Sequence, residues 1–375
     1  MELTQRHAQA LERIGCILDA GSFTETGSLM LDAPVVTGYG TIDMRPVYVY
    51  SQYGEVTMGH AEKVGKLYAL AQKTGAAVVG IFDSEGVPLA DGLQILHAYG
   101  SIFKTMGCFC GITLHIGIVY RDCVGLAGLL SAMCDFVLTP EDDLRELISY
   151  LPANNLSGAP FAAADYSAVM TGVDAQSDVH EIMDQIIDFN GFCEVNKNVG
   201  AGIITAFVRI GGMSAGLAVF DKEADEQAVE KCAGFVSFCD AFGLPFISLT
   251  GGGKLTDEAV SAATVRLIKT LTNATVPKIS VIIRKTYGSA YLIFNSLSIG
   301  ADMSFIWQDA ALSAAEPEAV KLILGQEMES SPEYAAGLGL VNEIIEPCQT
   351  RYKLLYALSV LASKREAPLP KKHIV

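Results

Sequence analysis

Charge is scarce in this chain and basic charge scarcer: 18% of its 375 residues are ionised types, with 26 Lys and Arg against 42 Asp and Glu, a formal net charge of −16. Affinity for nucleic acid comes largely from neutralising phosphates with cations, so DNA and RNA are not expected partners. No uncharged apolar run approaches the roughly 20 residues of a membrane span. The first fifteen residues carry Glu2, Arg6, Glu12 and Arg13 instead of an apolar leader, which predicts a soluble, cytoplasmic protein without direct membrane insertion. The nine cysteines are odd in number and form no regular framework, a pattern of reduced thiols. Cys108-Phe-Cys110 has no second pair at zinc-ligand spacing, so no metal site is expected. What the chain does have is apolar bulk, with half of its residues hydrophobic and 36 glycines. That composition fits large cores crossed by many tight turns, and the length suits two domains.

The two domains read as copies. Val36 to Tyr50 aligns with Ile204 to Ala218, Thr37 standing 168 residues before Thr205. The same spacing pairs Tyr39 with Phe207, Ile42 with Ile210, Glu62-Lys63 with Glu230-Lys231 and Gly75 with Gly243. Gly21 to Glu25 echoes Gly191 to Glu194, and Ile112 to Ile116 is set against Ile279 to Ile283. Each copy begins with a predicted hairpin, turning at Asp43-Met44 or Gly211-Gly212. A helix follows, about His60 to Lys73 or Ala224 to Ala241, leading into an apolar strand, Ala76 to Phe82 or Leu244 to Leu249. Repeated strand, strand, helix units imply an α/β fold with a mixed sheet. The boundary is placed in the polar stretch from Pro152 to Asp178, giving domains 1–158 and 159–375.

Several motifs invite functional readings. Gly212-Met-Ser-Ala-Gly216 has the spacing of a nucleophile elbow around Ser214, but an elbow needs a helix directly after the serine. Leu217 to Phe220 continues as strand instead. Gly251-Gly-Gly-Lys254 lacks the Ser or Thr that should follow the lysine of a phosphate loop, and reads as a glycine-rich turn. His60, His97 and His115 have no nucleophile or ligand set beside them. Asp83-Ser-Glu-Gly86 and Tyr287-Gly-Ser-Ala-Tyr291 each follow an apolar strand at a helix start. Turns of that kind either cap a helix or aim backbone N–H groups at a carbonyl oxygen.

Taken with its surroundings, the second of these turns is distinctive. Thr275 to Tyr291, followed by Asn295-Ser296 and Gly300-Ala-Asp302, resembles the carboxyltransferase subunits of biotin-dependent acyl-CoA carboxylases and decarboxylases. That family includes the propionyl-CoA carboxylase beta subunit and the methylmalonyl-CoA and glutaconyl-CoA decarboxylases. Further similar stretches are His60 to Lys63, Ser149 to Asn155, Phe238 to Pro245, Tyr334 to Pro347 and Pro370 to His373, in family order along nearly the whole chain. The resemblance implies a ClpP/crotonase-like fold of two tandem ββα-superhelix subdomains, the first facing acyl-CoA and the second biotin. It further implies backbone oxyanion holes at Glu85-Gly86 for the thioester and at Ser289-Ala290 for the biotin carbonyl, with Gly288, Tyr291, Gly252 and Gly253 on the biotin side. Biotin would arrive on a separate carrier protein. The active site would form between the first half of one subunit and the second half of another, in a homo-oligomer (a dimer or trimer of dimers) or a hetero-oligomer with another carboxyltransferase subunit.

The chain also departs from that pattern. Glu85 stands where the family has glycine, Gly125-Leu126 replaces a glycine pair in the second motif of the first half, and a long segment is missing between Leu138 and Glu141. Two readings follow: a working carboxyltransferase subunit, or a catalytically impaired paralogue serving as scaffold or regulatory partner. A crotonase-type hydratase or hydrolase ranks below both, for want of a recognisable general base.

Overall fold

Residues 35–42 and 45–52 pair as an antiparallel hairpin in the computed structural model of the chain, with Asp43 and Met44 at φ +49° and +62° in the two-residue turn. Gly211 and Gly212 make the same turn in the second copy, at +60° and +76°. Positive φ at both central positions matches the turn to the twist of its strands. The structure describes residues 2–30, 32–84, 93–121, 123–164, 168–256, 261–326 and 328–367. Contacts divide the chain into two compact units, Met1–Gly158 and Ala159–Val375.

Unit 1 runs α1 (Glu2–Ile17), β1 (Thr24–Thr26), β2 (Val35–Ile42), β3 (Arg45–Gln52), α2 (Met58–Thr74), β4 (Ala77–Phe82), α3 (Leu93–Phe109), β5 (His115–Val119), α4 (Leu126–Ala132), β6 (Phe136–Leu138) and α5 (Leu144–Tyr150). Its six strands lie in chain order in one sheet, antiparallel from β1 to β3 and parallel from β3 to β6. Unit 2 repeats the plan with α6 (Val179–Ile186), β7 (Phe192–Glu194), β8 (Ile203–Ile210), β9 (Met213–Phe220), α7 (Glu226–Ala241), β10 (Phe246–Thr250), α8 (Ala262–Asn273) and β11 (Lys278–Ile282). It continues through β12 (Thr286–Tyr287), α9 (Gly288–Ile293), β13 (Met303–Trp307), β14 (Leu312–Ser313), α10 (Pro317–Leu324), α11 (Pro332–Gly337), β15 (Glu343–Ile345) and α12 (Thr350–Leu361). Seven of these strands form its main sheet, while β12 and β14 pair separately.

The central strands are parallel and covered on both faces, which explains their unbroken apolar runs; every residue of β4, β10 and β11 is buried. Around them unit 1 packs Val64, Leu67, Tyr99 and Ile102. Unit 2 packs Ile182, Leu217, Leu249 and Trp307. Trp307, the one tryptophan in the chain, is fully buried, and its indole donates to Thr350 Oγ1 at 2.8 Å, so its polar atom is not left unpaired.

One device closes both units. Asp19, just past α1, accepts from Thr41 Oγ1 and from the turn amides of Asp43 and Met44, and Arg145 of α5 bonds both it and the Ile17 carbonyl. Asp188, just past α6, accepts from the turn amides of Gly211 and Gly212, and Arg351 of α12 bonds both it and the Ile186 carbonyl. A carboxylate thus ties the first helix, the hairpin turn and the last helix of each unit. Neither arginine is near its aspartate in the sequence, the separations being 126 and 163 residues.

The hairpins, helices and strands of the repeat fold as the sequence predicts, but one echo is out of register. Val78 of β4 pairs with His115, and its equivalent Phe246 of β10 pairs with Lys278. Lys278 therefore corresponds to His115, and the alignment of Ile112 with Ile279 is displaced by four residues. Asp135 and Asp302 confirm the correction, each accepting from the first amide of that strand, His115 N or Lys278 N, at 2.8 Å. Apolar strands lack register marks of their own.

Candidate functional site

Strand β11 ends at Ile282, and the chain then makes a short bridge to α9. Ile283 N donates to Thr250 O at 2.9 Å and Thr286 N to Ala311 O at 2.8 Å, so both flanks of the bridge are pinned by main-chain bonds. Gly288 opens α9 at φ +54°, and a Cβ there would lie 2.9 Å from Ala314 O. Both facts demand glycine. Ser289 is exposed, Ala290 buried and Tyr291 half-buried, with the Tyr291 hydroxyl donating to Leu340 O at 2.8 Å and anchoring the helix. Helices α2, α5, α6, α7, α8 and α11 begin on a side-chain acceptor. No side chain caps α9, which leaves its first amides to other acceptors.

The glycine loop after β10 stands against this bridge. A Cβ on Gly252, at φ +99°, would come 2.8 Å from Lys285 O, and one on Gly253 would meet the Phe220 ring at 2.5 Å. The structure therefore brings Gly252 to the segment that leads into Gly288. Packing alone accounts for glycine at both positions. Lys254 pairs with Glu316 at 2.5 Å, and Ser214 lies buried within β9, so neither the phosphate-loop nor the nucleophile-elbow reading has a counterpart here.

In unit 1, Glu85 and Gly86 lie outside the described residues. Just before them, Asp83 pairs with Arg13 at 2.6 Å and with Arg121 at 2.8 Å, while the Arg13 guanidinium sits 4.4 Å from the Tyr120 ring centroid. Arg121 corresponds to Arg284, and α4 corresponds to α9. Gly125, at φ +59°, precedes α4 as Gly288 opens α9; α4 has no side-chain cap, and Ala127 is buried like Ala290. The unit 1 equivalent of the Gly288 turn is thus Gly125-Leu126-Ala127, whereas Asp83 to Gly86 corresponds to Gly251 to Lys254. The equivalence is hidden in the sequence because the repeat spacing falls from 168 to 163 residues between β4 and β5.

Between Leu138 and Leu144 only a short connector joins β6 to α5. Among the described residues no group of three or more His, Cys, Asp or Glu is placed to hold a metal ion, and no helix is long and apolar enough to cross a membrane.

The carboxyl transferase domain model matches residues 4–145 and 141–333. The propionyl-CoA carboxylase beta chain of Saccharopolyspora erythraea is 30% identical, covering 99% of this chain and 91% of its own. The methylmalonyl-CoA decarboxylase subunit alpha of Propionigenium modestum is 28% identical over 475 aligned positions, covering 97% and 92%. Since this chain has 375 residues, at least 100 of those positions face no residue of it, so its shortening is internal. Among solved structures, transcarboxylase 12S, described as a hexamer assembly with methylmalonyl-coenzyme A and methylmalonic acid bound, superimposes with a TM-score of 0.89 at 26% identity, covering 100% of this chain and 94% of that one.

Proposed function

We infer, from the premise that the chain belongs to the carboxyl transferase domain family, that it is the carboxyltransferase subunit of a biotin-dependent acyl-CoA carboxylase or decarboxylase. It moves carboxylate between biotin on a separate carrier protein and a small acyl-CoA, with unit 1 taking the thioester and unit 2 the biotin. The observation that carries this reading is a repeated one: each unit has a positive-φ glycine opening a helix without a side-chain cap, followed by a buried alanine. Such turns suit a carbonyl that gains negative charge, because main-chain donors stabilise it without an ionisable group.

In unit 2 the amides of Ser289 and Ala290 serve the ureido oxygen of biotin, a neutral acceptor that fits uncapped donors. Biotin supplies the carboxyl acceptor or donor. In unit 1 the amides of Leu126 and Ala127, assigned by equivalence, join those of Glu85 and Gly86 in holding the thioester oxygen as it becomes an enolate. Each donor of this kind is worth about 100- to 1,000-fold in rate. Pairing of unit 1 from one subunit with unit 2 from another, as the family resemblance implies, makes oligomerisation a requirement for activity.

Purified protein should exchange carboxylate between methylmalonyl-CoA or malonyl-CoA and biotin, free or on its carrier. Absence of exchange with either thioester would sink the catalytic reading.

A further inference from the structure

Arg284 lies four residues before Gly288, and its guanidinium joins three segments of unit 2. Nε donates to Ala175 O at 2.8 Å, Nη2 donates to Ser177 O, and Nη1 pairs with the carboxylate of Asp221, the residue after β9. The Arg284 and Asp221 side chains are 20% and 15% exposed, so this is a largely desolvated pair in which a planar, forked cation is matched to one carboxylate and two carbonyls. The pair also bears on the neighbouring loop, since a Cβ on Gly251 would collide with Asp221 Oδ1 and lie 3.4 Å from Arg284 Nη1. Next in the chain, Lys285 O is the atom against which Gly252 packs. Thr286 and Gly288 follow with the fixed contacts to Ala311 and Ala314.

We propose that Arg284, held by Asp221, is a positioning residue for the carboxyl transfer reaction: it sets the aim of the Ser289 and Ala290 amides without touching substrate. This rests on the reading of function above. Unit 1 has a related but not identical arrangement: Arg121 stands at the equivalent position and pairs with Asp83, the residue after β4. In both units an arginine just past a parallel strand, four residues ahead of the positive-φ glycine, pairs with an acid at the end of another strand: β4, the neighbour of β5, in unit 1, and β9, one strand beyond the neighbouring β10, in unit 2. Amide donors act through direction and distance, and a displacement near 1 Å costs on the order of 100-fold in rate.

The test compares Arg284→Lys, Arg284→Met and Asp221→Asn with wild type in exchange between methylmalonyl-CoA and free biotin, reading kcat and both KM values. Unfolding of unit 2 is followed by the fluorescence of Trp307. Arg266→Met, which removes a half-exposed ion pair with Glu230 on the outside of the same unit, is the control and keeps wild-type activity. Lysine retains the charge opposite Asp221 but cannot serve two carbonyls as well. Arg284→Lys should therefore lower kcat about 10- to 100-fold, with the KM for methylmalonyl-CoA within about 2-fold of wild type and a Trp307 transition like that of the control. Asp221→Asn should lie between Arg284→Lys and wild type. If Arg284→Met does not fold, the other two variants decide. Wild-type kcat in Arg284→Lys overturns the proposal, as does a loss of activity in all variants that merely tracks the fraction of unit 2 unfolded. An inactive wild type overturns the reading of function, and this inference with it.

Discussion

At the scale of single residues, Gly288 and Gly125 make equivalent turns under different constraints. A Cβ on Gly288 meets Ala314 O at 2.9 Å, whereas one on Gly125 has nothing within 4 Å. Alanine at either site incurs the strain of positive φ, about 1–2 kcal/mol, but only Gly288→Ala must also push the turn off Ala314. Gly288→Ala is expected to lower kcat/KM for carboxyl exchange by roughly 100-fold, the loss of one well-placed donor. Gly125→Ala should lose less, and steady-state kinetics on the two variants side by side check the order. Ser289 and Ala290 were singled out in the sequence, as proposed donors, through their resemblance to known carboxyltransferases. Arg284 was not, because its partners Ala175 and Asp221 are 109 and 63 residues away, and only the fold brings them together.

At the scale of elements, the hairpins, helices and central strands were readable because period and turn chemistry are local: Asp43-Met44 and Gly211-Gly212 announce their turns within two residues. The aspartates that brace those turns were hidden, since Arg145 and Arg351 are 126 and 163 residues away from them. Asp19 and Asp188 each stand two residues past the end of their helix. Asp188 is largely shielded from solvent against the buried Arg351, and removing one partner of such a pair leaves the other uncompensated. Asp188→Asn should destabilise unit 2 by about 3 kcal/mol, read as a lower urea midpoint in Trp307 fluorescence. Asp19 is held well below the usual carboxylate range, chiefly by the Thr41 hydroxyl and then by the Met44 amide and Arg145. Its contribution is present above the ordinary aspartate pKa and fades as pH falls below it.

Across the whole molecule, the two copies differ most in what their cores titrate. Burial lowers His60 and His115 of unit 1 to about 3, with Lys63 adding to the effect at His60. Their equivalents in unit 2 are Ala228 and Lys278, and its one described histidine, His180, is exposed. An unfolded histidine titrates near 6.5, so between that pH and about 3 the unfolded chain holds more protons than the folded one, and stability falls as pH falls. Asp135, raised by burial to about 7 against the lowering bond from His115 N, acts in the opposite sense: the proton it keeps when folded favours unit 1 at lower pH. With two histidines against one aspartate, unit 1 should lose structure first in acid. Hydrogen exchange along unit 1 should rise at a pH where Trp307 fluorescence still reports a folded unit 2, and paired His60→Gln and His115→Gln substitutions should narrow the gap. Repetition was visible from the sequence at this scale, but the unequal chemistry of the copies was not, since burial of a histidine carries no local signature. The braces at Asp19 and Asp188 have an evolutionary corollary. A module whose opening and closing helices are pinned to one carboxylate starts and finishes at the same spot, so a second copy can be appended in tandem with neither copy rethreaded.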